Sequence, residues 1–196
     1  MSPAPETGSK VVAILRGPDD RHLVRAATVL RDAGLPLVEL PLTTPGALRA
    51  IERLDGVGAG TVRTLQDARD AVGAGAAFLV TPAVVPDAIA YGAEHGVPVY
   101  AGALSPTEVL AAHAAGASYV KIFPAGTVGP GYLAALRQPF PDIAFVPTGG
   151  VDLAAARAFL AAGAAAVGVG SPLAGDALVT GDLDALHERA RVWAAL

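Results

Sequence analysis

The chain contains no cysteine, which excludes disulfides and thiolate metal sites and agrees with a cytoplasmic protein kept in a reducing compartment. No apolar run approaches the roughly 18 residues that a membrane helix needs. Residues 1–9, Met-Ser-Pro-Ala-Pro-Glu-Thr-Gly-Ser, are polar and Pro-rich and lack the apolar stretch of a signal peptide. The net charge is −4 and no basic cluster exceeds a helix face, so neither nucleic acid nor an anionic membrane is expected as a partner. No Gly-x-Gly-x-x-Gly follows the first strand-type run, which argues against a dinucleotide cofactor. The four histidines, His22, His95, His113 and His187, all fall in helix-type segments. Metal chemistry would need imidazoles converging on a site, so no metal is expected either.

What the chain does have is Ala, Val and Leu: 53% of its 196 residues are hydrophobic, which suits buried parallel strands covered by helices. Short β-branched runs alternate with Ala/Leu-rich segments from end to end. Strands are expected at Val11–Arg16, Leu35–Pro41, Gly56–Gly60, Ala77–Pro82, Val97–Gly102, Ser118–Pro124, Ile143–Thr148 and Ala165–Gly170. Helices are expected at Asp19–Ala33, Thr44–Leu54, Thr64–Ala74, Val85–His95, Ser105–Ala115, Gly131–Arg137, Asp152–Ala162 and Asp182–Ala195. Several open on capping residues, such as Asp152 and the Ser105-Pro106-x-Glu108 box, and several close on glycine. Eight βα units with no linker predict a compact single-domain α/β protein, a (β/α)8 TIM barrel over residues 11–196. Residues 1–10 form a disordered or extended N-terminal segment in this reading.

In such a barrel the functional groups collect at the C-terminal ends of the strands. Lys121, in Tyr119-Val120-Lys121-Ile122-Phe123-Pro124, is unusual because burying an unpartnered ammonium is costly. Such a site lowers the pKa and yields a neutral amine able to attack a carbonyl carbon. The alternatives are a strand-end lysine snorkelling to solvent or half of a buried ion pair. Glu39 is the only carboxylate within any of the eight expected strands. It serves either as general acid/base for that amine or as a structural ion-pair partner of Lys121 or Arg16. Arg16, after five apolar residues, offers a planar fork suited to a carboxylate. Thr61 and Thr148 offer hydroxyls to substrate oxygens. Gly149-Gly150 and Gly170-Ser171 follow the last two expected strands, where barrels often hold a phosphate on backbone N–H groups and a helix N-terminus. Tight turns are the other explanation for either glycine pair alone.

These pieces together resemble the 2-keto-3-deoxy-6-phosphogluconate (KDPG) and 4-hydroxy-2-oxoglutarate (KHG) aldolases. The likeness runs from Val11 to the C-terminus. It is carried by Val12-Ala13-Ile14-Leu15-Arg16-Gly17, Val38-Glu39-Leu40-Pro41-Leu42, Gly58-Ala59-Gly60-Thr61-Val62, Val80-Thr81-Pro82, Lys121-Ile122-Phe123-Pro124, Pro147-Thr148-Gly149-Gly150 and Val167-Gly168-Val169-Gly170-Ser171. The resemblance implies a metal-free, pyruvate-dependent class I aldolase with no cofactor beyond the lysine imine itself. Lys121 would match the Schiff-base lysine and Glu39 the proton-transfer glutamate. Arg16 and Thr61 would surround the pyruvyl carboxylate, Pro82 and Phe123 would line the pocket, and Thr148 would meet a substrate hydroxyl. Gly149, Gly150, Gly170 and Ser171 would match the phosphate loops. Members are typically homotrimers, so a homotrimer is implied here. Many members carry an arginine four residues after the glutamate; this chain has Thr43, which leaves Arg16 as the main cation for the substrate.

The implied reaction is reversible cleavage of 2-keto-3-deoxy-6-phosphogluconate to pyruvate and glyceraldehyde 3-phosphate, with 4-hydroxy-2-oxoglutarate as a further substrate. The closely related 2-keto-3-deoxy-6-phosphogalactonate enzymes, which differ chiefly in the configuration of one hydroxyl, stand as the alternative. A phosphosugar isomerase on the same fold and a non-catalytic trimeric scaffold stand further off.

Overall fold

A computed structural model describes residues 8–196. The segment expected at residues 1–10 therefore lies, for residues 1–7, outside the described residues, while Lys10 already accepts a hydrogen bond from the Val167 amide. Among the described residues seven parallel strands form one sheet: β1 (Val11–Ile14), β2 (Leu37–Pro41), β3 (Gly58–Gly60), β4 (Leu79–Val80), β5 (Val99–Ala103), β6 (Tyr119–Ile122) and β7 (Val167–Val169), in the order β6-β5-β4-β3-β2-β1-β7. Each crossover carries a helix, as parallel neighbours require. These are α1 (Leu23–Asp32), α2 (Ala47–Ile51), α3 (Leu65–Gly73), α4 (Pro86–Glu94), α5 (Pro106–Ala114) and, before β7, α6 (Gly129–Arg137) and α7 (Leu153–Ala161). After β7 come the short α8 (Ser171–Ala174) and α9 (Ala177–Thr180), then α10 (Leu183–Ala194). No helix among the described residues is long and apolar enough to cross a membrane.

The eighth strand, expected at Ile143–Thr148, is not a strand. The segment makes isolated parallel bridges instead, Val120 to Phe145 on one side and Thr148 to Gly168 on the other. Toward β6 it both donates and accepts: the Val146 and Thr148 amides bond Val120 and Ile122 carbonyls, and the Val120 amide bonds Ala144 O. Toward β7 the Ala165 and Gly168 amides bond Phe145 O and Pro147 O. Pro147 has no N–H to return, so the ladder cannot propagate there.

Side chains of alternate parity separate two cores. One parity, including Val11, Ala13, Val38, Leu40, Ala59, Leu79, Val120 and Val167, packs outward under the helices. The other, Val12, Leu37, Phe78, Val80, Tyr100, Tyr119, Ala144, Val146 and Ala166, fills the space enclosed by the curled sheet. Tyr100 and Tyr119 stack there at 4.4 Å between ring centroids, with Phe78 tilted against Tyr100 at 5.3 Å. Gly58 has no Cβ because the Phe78 ring occupies that position, 2.2 Å from where the Cβ would stand. This aromatic floor stops the interior from being a pore and supports everything placed above it.

Candidate active site

Above the floor, at the C-terminal ends of the strands, opens a cavity of about 550 Å³. All eleven residues expected at the site line it: Arg16, Glu39, Thr61, Pro82, Lys121, Phe123, Thr148, Gly149, Gly150, Gly170 and Ser171. None of the four histidines does. Glu39 on β2 and Lys121 on β6 share the inward parity of the interior core and are nearly sealed from solvent, at 2% and 7% exposure. Glycines on neighbouring strands make this layer possible. A Cβ on Gly60 would lie 1.9 Å from Glu39 Oε1, one on Gly168 2.2 Å from Thr148 Oγ1, and one on Gly102 2.3 Å from the Pro82 carbonyl carbon.

Lys121 and Glu39 do not form a contact ion pair. The ion pairs within 4.0 Å among the described residues are Arg21–Asp19, Arg49–Asp20 and His187–Glu188, all at the surface. The structural salt bridge considered for Glu39, with Lys121 or with Arg16, is therefore absent. Lys121 Nζ instead sits 5.2 Å from the centroid of the Phe123 ring, a favourable place for a cation that remains accessible to a ligand. Burial pushes the Glu39 carboxyl above the usual glutamate range, and the positive charges of Lys121 and then Arg16 only partly oppose that. A carboxyl so placed holds and releases a proton nearer neutral pH than a surface glutamate does.

Arg16 reaches from the end of β1 across the mouth. Its Nη1 donates to Thr43 Oγ1 at 2.6 Å and its Nη2 to Thr61 Oγ1 at 3.1 Å. Thr61 is the only non-glycine residue with positive φ among the described residues, at 56°. That conformation is costly for a β-branched residue and recurs where a site imposes it. On the opposite wall, Gly149 and Gly150 both have positive φ. Both line the cavity, where glycine lets the backbone approach an anion closely. Gly149 is packed against the Phe123 ring, 2.9 Å from where its Cβ would be.

Three supporting residues carried no assigned role in the sequence reading. Buried Thr44 accepts the Gly17 amide on Oγ1 at 3.2 Å, tying the loop after β1 to that after β2. Buried Thr81 donates to Ala83 O at 2.6 Å and accepts the Gly102 amide at 3.1 Å, which clamps the Pro82 loop onto β5. Gly168, read with the last glycine loop, makes room for Thr148. A threonine at a strand end beside Pro or a second Thr was the available signal for the first two; for Gly168 there was none.

The family model for KDPG and KHG aldolase matches residues 6–188. A probable 2-dehydro-3-deoxy-6-phosphogalactonate aldolase of Rhizobium meliloti is 33% identical over 189 residues, 92% of this chain and 89% of that one. A solved structure of native KDPGal superposes with a TM-score of 0.91 at 28% identity, covering 100% of this chain and 96% of the other. The KDPG aldolase of Legionella pneumophila, solved with pyruvate captured as a covalent carbinolamine intermediate, superposes with a TM-score of 0.81 at 27% identity over 95% of each chain.

Proposed function

The chain belongs to the KDPG and KHG aldolase family, and from that premise we propose that it cleaves 2-keto-3-deoxy-6-phosphogluconate reversibly to pyruvate and glyceraldehyde 3-phosphate. The family makes it a carbon–carbon lyase of the Schiff-base class. One observation carries the assignment of residues: a buried amine and a buried carboxyl face one cavity without pairing, so each is available to a substrate.

In this reading Lys121 Nζ adds to the C2 ketone. Glu39 delivers a proton to the carbinolamine hydroxyl, which leaves as water and gives the iminium. Glu39, now a carboxylate, or a water it orients takes the proton of the C4 hydroxyl. The C3–C4 bond then breaks with its electron pair passing into the enamine, and glyceraldehyde 3-phosphate departs as the aldehyde. Protonation of the enamine at C3 and hydrolysis of the imine release pyruvate and restore the amine. The carbinolamine reported for the Legionella enzyme supports the first step by analogy. Arg16, held by Thr43 and Thr61, takes the substrate carboxylate; Pro82 and Phe123 bound the pyruvyl end; Thr148 meets a substrate hydroxyl. The glycine-rich backbone around Gly149, Gly150, Gly170 and Ser171, which lines the far end of the cavity, takes the phosphate.

The same reading takes 143–148 as the segment that closes the barrel between β6 and β7 through its isolated bridges, the assembly as a homotrimer, and 4-hydroxy-2-oxoglutarate as a second substrate. A galactonate-configured substrate is the second possibility, the one named for the Rhizobium relative. Pyruvate release from the two C4 epimers, assayed side by side, tests the choice. A kcat/KM at least about tenfold higher for the gluconate epimer is expected; a preference for the galactonate epimer would overturn the assignment of substrate, and release from neither would overturn the assignment of reaction.

A further inference from the structure

The wall that faces Gly149 and Gly150 is built from backbone: Gly170, Ser171, Pro172, Ala174 and Gly175 line the cavity there. This stretch is one short helical turn, α8, ending at Gly175 with φ 56° and ψ −132°, a region essentially restricted to glycine. Leu173 and Ala174 anchor the turn in the larger core, which leaves the orientation of its carbonyls to be set by a neighbouring element. From behind, outside the cavity, α10 supplies Arg189. Its Nε donates to Leu173 O at 2.8 Å and its Nη2 to Ala174 O at 2.9 Å. Among the described residues Arg189 forms no salt bridge, so its charge is given to these two carbonyls. The fit is close: a Cβ on Gly175 would lie 2.8 Å from Arg189 Nη2. A planar fork binding two successive carbonyls fixes both the position and the tilt of the turn, which a single donor does not.

We propose that Arg189 is a positioning residue for the distal, phosphate-holding end of the site, setting the preference for phosphorylated over unphosphorylated substrates without touching either. The proposal rests on the reading of this end as the phosphate site. Removing the fork frees the carbonyls of Leu173 and Ala174 and lets the wall shift, while Lys121, Glu39 and Arg16 stand on other strands. The loss therefore falls on the phosphate end rather than on the amine.

The test compares Arg189→Ala and Arg189→Gln with the unsubstituted protein on 2-keto-3-deoxy-6-phosphogluconate and on its unphosphorylated counterpart. A second approach to the same wall is Gly175→Ala, whose Cβ must displace the guanidinium. The expected result is a rise of about tenfold in KM for the phosphorylated substrate relative to the unphosphorylated one, with Arg189→Gln intermediate. Inorganic phosphate, as a competitive inhibitor, should weaken in parallel. An unchanged KM ratio in folded Arg189→Gln and Gly175→Ala, or equal losses on both substrates, would overturn the proposal. Failure of the underlying reading looks different: the unsubstituted protein would then show no advantage for the phosphorylated substrate and no inhibition by phosphate.

Discussion

Arg16 spends both terminal nitrogens on threonine hydroxyls, Thr43 at 2.6 Å and Thr61 at 3.1 Å. Thr43 stands where many relatives of this family were expected to carry an arginine, and here its hydroxyl orients the one that β1 supplies. Thr43→Val should raise KM about fivefold to tenfold with little change in kcat, and Thr43→Ser should restore it; steady-state kinetics read both. Glu39 gives a prediction whose sign depends on its raised pKa. Between the ordinary glutamate value of 4.5 and the raised value, the folded protein binds more protons than the unfolded chain, so stability falls as pH rises through that window. Glu39→Gln removes the titration. Its melting temperature should exceed that of the unsubstituted protein above the window, by a margin that shrinks as pH falls back through it, while activity drops about 10²–10⁴-fold. Lys121, Glu39 and Arg16 were legible in the sequence because a charge inside or just after an apolar run has few physical explanations. Thr44, Thr81 and Gly168 were not, because their roles depend on which neighbouring strand's atoms occupy the adjacent space.

Among the elements, helices with explicit caps were read well. Ser105 with Glu108, and Thr64 with Asp67, form reciprocal capping boxes at the starts of α5 and α3, and Asp152 and Asp182 accept the Ala155 and Ala185 amides. The expected helix at Thr44–Leu54 shortens to α2, since Gly46 takes a left-handed φ of 84° just before it. Two short helices, α8 and α9, were not expected at all; at four residues each they carry too little periodicity to be seen. The expected strand at Ile143–Thr148 failed on Pro147, which the apolar pattern does not weigh. Strand β3 shows what packing adds to pattern. Gly60 sits there because the Glu39 carboxylate fills its Cβ position. Gly60→Ala should therefore destabilise the fold by about 1–3 kcal/mol and cut kcat more than it raises KM. Thermal melts with kinetics check this; a fully active Gly60→Ala would contradict the placement of Glu39.

At the scale of the molecule, two hydrophobic cores divide the work. The larger one joins sheet to helices. The smaller one, with Tyr100 and Tyr119 at its centre, raises a floor under the polar layer. Above that floor lies the cavity that all eleven expected site residues line. The βα alternation made this arrangement readable from the chain, because strand ends of one direction gather on one face. Assembly was not readable, since a helix face that meets a partner reads like any other. Everything in the fold converges on one amine, so the most direct test is borohydride reduction of the intact protein in the presence of pyruvate, followed by mass measurement and peptide mapping. One reduced pyruvyl adduct per chain, confined to Lys121 and absent from Lys121→Ala, is the predicted result. A folded protein that gains no adduct, or gains it on Lys10, would contradict the Schiff-base assignment.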